Sequence, residues 1–93
     1  MNNTEQEQIY KDCIKFWGKE SQYGMLQEEC AELIVAVSKL FRRHPDAENM
    51  VCEELADVQN MLNQFKELYP DFERVRIYKL KRVKAIMDSQ NGK

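Results

Sequence analysis

Five carboxylates, Glu28, Glu29, Glu32, Glu54 and Asp57, carry the chemistry of this chain, because several stand where amphipathic helices should carry oil. A helix turns about 100° per residue, so between residues 22 and 41 Met25, Leu26, Leu33, Ala36, Val37 and Leu40 gather on one apolar stripe. Glu29 falls inside that stripe and Glu32 at its edge. In the next helical segment Met50, Val51, Val58, Met61, Leu62, Phe65 and Leu68 form a second stripe, with Glu54 near its centre and Asp57 beside it. A buried carboxylate is costly unless it is protonated, paired or bound to metal. Two acidic pairs at i,i+3 on facing helices would make a four-oxygen cage for a hard divalent cation.

The elements that must position these acids are marked by clear punctuation. Thr4 and Glu7 form a capping-box pattern, and Ile9, Tyr10, Cys13, Ile14, Phe16 and Trp17 then keep helical spacing, which predicts a first helix over about 5–19. Gly18 and Ser21 mark a break or kink, with Ser21 a candidate cap for a second helix over about 22–43. His44-Pro45-Asp46 stops that helix, since the residue before a proline is pushed out of the helical region. A third helix follows over about 47–69, Pro70-Asp71 turns the chain, and a fourth runs over about 72–89 towards Gly92, a helix C-terminal signal. No stretch alternates with the period of a strand. The expected fold class is all-α, a four-helix bundle-like arrangement in one domain spanning residues 1–93.

Composition excludes much else. Ninety-three residues bury a limited core, and such small domains often gain from assembly. The formal net charge is only −2, but it is lopsided: the middle is acidic, whereas Arg74, Arg76, Lys79, Lys81, Arg82 and Lys84 make the last segment basic. That separation suits an anionic ligand held between metal and cations. Cys13, Cys30 and Cys52 are odd in number and lack C-x-x-C spacing, so they read as reduced thiols in a cytoplasmic setting. No stretch approaches the roughly 18 apolar residues of a membrane span, and the polar start has no signal core. The chain is expected to be soluble and to stay inside the cell.

On two successive helices the acids read E-E-x-x-E, Glu28-Glu29-Cys30-Ala31-Glu32, then E-x-x-D, Glu54-Leu55-Ala56-Asp57. With Trp17-Gly18, Gln22, Leu33, Glu53 and Val58 around them, these residues resemble the signature of the MazG-like all-α nucleotide pyrophosphohydrolases, over most of the chain. The resemblance implies a Mg²⁺-dependent enzyme, with Mn²⁺ an alternative ion, that cuts a nucleoside triphosphate between the α and β phosphates. It implies Glu29, Glu32, Glu54 and Asp57 as metal ligands, with Glu28 touching a second metal or orienting the attacking water. It also implies a homo-oligomer, dimer or tetramer, and the wide apolar faces, with Ile34 and Phe41 beside the main stripe, point the same way. Lys79 and Arg82, near one face of the last helix, are the candidates for phosphate, although cations near a helix C-terminus are favoured regardless of ligand.

Other residues admit plainer duties. Trp17 could stack on a base, with core packing the simpler role. Gln22 and Asn60 could reach base or sugar or be surface amides, and Asn60 lies one turn beyond Asp57. Met25, Met50 and Met61 read as core. A di-iron bundle would need Glu-x-x-His pairs, and the one histidine, His44, sits in a turn. A nucleic-acid-binding module could use the basic fourth helix, but the acidic cluster would repel a polyanion. A catalytically silent, metal-binding interaction domain is the other alternative.

Overall fold

The computed structural model describes residues 1–91 and contains four helices, α1 Asn3–Trp17, α2 Lys19–Phe41, α3 Ala47–Leu68 and α4 Phe72–Asn91. The all-α class and the helix order are as expected, with the termini shifted by a few residues. Gly92, expected to close the last helix, lies outside the described residues. Thr4 does not cap α1. Asn2 does, its Oδ1 accepting the Glu5 backbone N–H at 2.8 Å, because asparagine is among the strongest N-caps and lies ahead of the threonine. Ser21 likewise falls inside α2. Gly18 alone divides α1 from α2 at φ +90°, a conformation that L side chains rarely adopt.

Arg43, at φ 56°, turns the chain out of α2 in a left-handed conformation, and Pro45 follows. The short connection folds α3 back along α2, and these two helices form the main packing unit, with α1 laid against both. Among the described residues the buried apolar side chains are only Ala36, Ala47, Met61 and Phe65. Phe65 stacks on Tyr23 with centroids 5.3 Å apart, and the Tyr23 hydroxyl meets that of Tyr69 at 2.5 Å, which fastens the end of α3 to the start of α2.

The fourth helix does not join this bundle. It makes at most marginal contact with any other helix, and its base is tied down by Glu73, which pairs with Arg76 on α4 and lies 3.8 Å from Lys66 on α3. The radius of gyration is 16.7 Å, against about 12 Å for a compact domain of this length. No helix among the described residues is long and apolar enough to cross a membrane.

Candidate metal centre

The site grows from the register of α2 against α3. Gln22 Nε2 donates to Gln64 Oε1 at 2.7 Å, and both side chains are buried. Because the helices run antiparallel, stepping forward along α2 and back along α3 brings successive residues into layers. Three residues on, Met25 and Met61 line one cleft together. Seven residues on, Glu29 comes level with Asp57; ten on, Glu32 comes level with Glu54. Two stripes that each hold an acidic i,i+3 pair thus bring Glu29, Glu54 and Asp57 to one place, with Glu32 outside that group of three.

Glu29, Glu54 and Asp57 each offer a carboxylate oxygen within 4.8 Å of the others. Oε2 of Glu29 and Oε2 of Glu54 are closed off from solvent and receive no hydrogen bond. Burial raises both carboxyls above the ordinary carboxylate value, and neighbouring acids raise them further: Asp57, Glu32 and Glu54 act on Glu29, and Glu32, Asp57 and Glu53 on Glu54. Among the described residues no cation moderates either group. Desolvated, unpartnered acids that repel one another need protons or a cation. An all-oxygen donor set of this kind suits a hard divalent ion such as Mg²⁺ or Mn²⁺. Glu32 is exposed and near enough to raise the Glu54 carboxyl, so it lies on the solvent side of the cluster. Glu28 is exposed and lies outside the group of three.

One turn from the acids, a cleft of about 370 Å³ is lined by Trp17, Ser21, Gln22, Met25, Met61 and Gln64. Trp17 is not the core anchor that an amphipathic helix usually needs: it is 57% exposed and meets Phe16 edge-on at 5.1 Å. The reason is geometric, since α1 ends there and Gly18 turns the chain away. Met61 is buried, Met50 half-buried, and Met25 exposed at the cleft. Gln22, whose alternative was a surface amide, is 3% exposed and spends its amide on Gln64. Asn60 faces another way, its Oδ1 accepting from the Tyr10 hydroxyl at 2.8 Å, and it lines a separate cavity with Tyr10 and Cys13.

Lys79 and Arg82 are not brought to the acids within one chain. Lys79 borders a hollow at the α3–α4 corner with Tyr69, Phe72 and Val75. Gln64 carries the same signal in the sequence as Glu54, a polar residue in the Met61–Phe65 stripe, seven residues after Asp57. No protein-family model, curated protein or solved structure matches the chain, so its chemistry is read from these side chains and their spacing.

Proposed function

We propose that the protein is a Mg²⁺-dependent hydrolase of nucleoside triphosphates, releasing the nucleoside monophosphate and pyrophosphate as part of nucleotide-pool housekeeping. The observation that carries this reading is the pair of buried, unpartnered oxygens on Glu29 and Glu54, set beside a cleft with an exposed indole at its edge. The motif resemblance to the MazG-like enzymes supports it. Glu29, Glu54 and Asp57 would hold the ion, with Glu32 on the open side. When bound, the ion lowers the pKa of attacking water and offsets charge on the departing pyrophosphate.

The chain's own residues do the rest. The Gln22–Gln64 bond and the Met25–Met61 layer hold α2 and α3 in the register that converges the acids. Trp17 offers a face on which a base can stack. The carboxylates exclude free anions until a cation is present, which couples substrate entry to metal loading.

The direct test incubates purified protein with Mg²⁺ and a panel of ribo- and deoxynucleoside triphosphates, quantifying monophosphate and pyrophosphate against a chelated control. Equal, metal-dependent release of both products is expected. A second reading, a metal-binding helical module without turnover, is favoured by the lack of a moderating cation for Glu29 and Glu54 among the described residues of one chain. It predicts calorimetric Mg²⁺ binding and no release from any triphosphate.

A further inference from the structure

The protein's surface is too large for its mass. An accessible area of 7550 Å² surrounds a chain of 11.1 kDa, where a compact monomer of that mass exposes about 5,700 Å². The excess, about 1,900 Å² per chain, would give about 3,800 Å² across a two-copy contact, inside the range of roughly 2,000–5,000 Å² typical of obligate homodimers.

The uncovered area has a pattern. On α4, Phe72, Val75, Leu80, Val83, Ile86 and Met87 fall within about 140° of helix circumference. Five of them are exposed, Leu80, Ile86 and Met87 more than half. A helix with such a stripe and no partner in its own chain is stabilised when something covers it. The charges say what. Along α4 six cations stand against two acids, whereas α2 and α3 together carry nine acids against three cations. Pairing α4 with α4 would set like charge against like, while pairing α4 with α2 and α3 sets unlike against unlike. The acidic pair also exposes apolar side chains of its own, Ile34 and Phe41 on α2 and Leu55 on α3.

We propose that α4 is an exchanged arm, which docks its apolar stripe on the α2–α3 face of a second copy of this chain. Lys79 and Arg82 then lie along the acidic helices of the other copy. The proposal does not depend on the enzymatic reading, and its tests use no substrate.

The first experiment mixes ¹⁵N-labelled and unlabelled full-length protein, joins lysine to carboxylate with a zero-length carbodiimide, and maps the products by mass spectrometry beside a light-scattering mass. The expected result is an assembly of two or more copies, with mixed-isotope links from Lys79, Lys81 or Lys84 to acids of α2 and α3. Links between α4 segments alone, or α4 links found only within one copy, would overturn the proposal. A monomer at tens of micromolar would overturn it too, including one that instead cosediments with phosphatidylserine vesicles.

Salt gives an independent reading on the unmodified protein. Raising NaCl from 50 mM to 500 mM should weaken the assembly at least threefold, whereas tighter assembly would mark like-charged surfaces and overturn the proposal. The variant V83D/I86D should run as a monomer with its α1–α3 bundle still folded, because α4 hardly touches that bundle; a variant that stays assembled would also overturn it.

Discussion

The α2–α3 pair and α4 violate the usual division between oil and charge in opposite directions. The pair draws Glu29 and Glu54 into its packed face and leaves an oxygen of each without a partner; α4 leaves apolar side chains in water and holds its ion pairs on the surface. Misplaced charge asks for a cation or a proton, since only these settle it. Misplaced oil asks only for area to cover it, since apolar contact is not directional. The two anomalies therefore call for different experiments.

The sharpest contrast should come from exchanging one residue on each side. Glu54→Gln keeps the shape of the side chain and removes its charge, and Mg²⁺-dependent turnover should fall more than about 100-fold, beyond the loss usual for an outer-sphere contact. Lys79→Ala should instead raise the Michaelis constant for triphosphate several-fold and leave helicity intact. Equal effects of the two would erase the distinction between the regions.

Next in size is stability. Phe65→Ala, beneath Tyr23 in the small core, should cost about 3–5 kcal/mol and come close to unfolding the domain in urea titrations. Val83→Ala in dilute protein should move the urea midpoint hardly at all, by about 0.5 kcal/mol or less. A large loss from Val83→Ala at concentrations where the chain is monomeric would mean that α4 packs on its own bundle.

A smaller effect separates the regions by pH. The carboxyls of Glu29 and Glu54 titrate above the ordinary value of 4.5, so the folded, metal-free state binds more protons than the unfolded chain. Stability from these two groups is therefore greatest below about pH 4.5 and is lost as pH rises through their raised values. On α4 and its base, Glu73 is lowered by the hydrogen bond from Arg76, and its stabilisation has the reverse sign, present above 4.5 and lost as pH falls. Thermal scans in EDTA should show a downward contribution towards neutral pH that Mg²⁺ removes and that the double variant Glu29→Gln/Glu54→Gln lacks. Arg76→Ala should flatten the acid side only slightly, since that pair is half exposed.

Much of this was legible in the residues. Pro45, Pro70 and Gly18 fix three breaks by backbone chemistry alone, and the acids were visible because a charge in an apolar stripe breaks a pattern that can be counted. The start of α1 was misplaced because Asn2, Asn3 and Thr4 are all competent caps and local preference among them is weak. Trp17 and α4 resisted for another reason. A stripe states that a face will be covered, never by which surface, so the unpaired fourth helix and the exposed indole depend on geometry beyond the local sequence.

The Gln22–Gln64 bond carries one last consequence, for how such a sequence can change over generations. A single residue inserted in α2 between Gln22 and Glu29 would swing the two acids about 100° around the helix, while the amide pair still held its end. Neither helix can drift alone. Lengths compatible with the acids come in paired increments of about two turns, one in each helix, so the seven-residue intervals behave as a discrete inheritance rather than a spacing open to gradual adjustment.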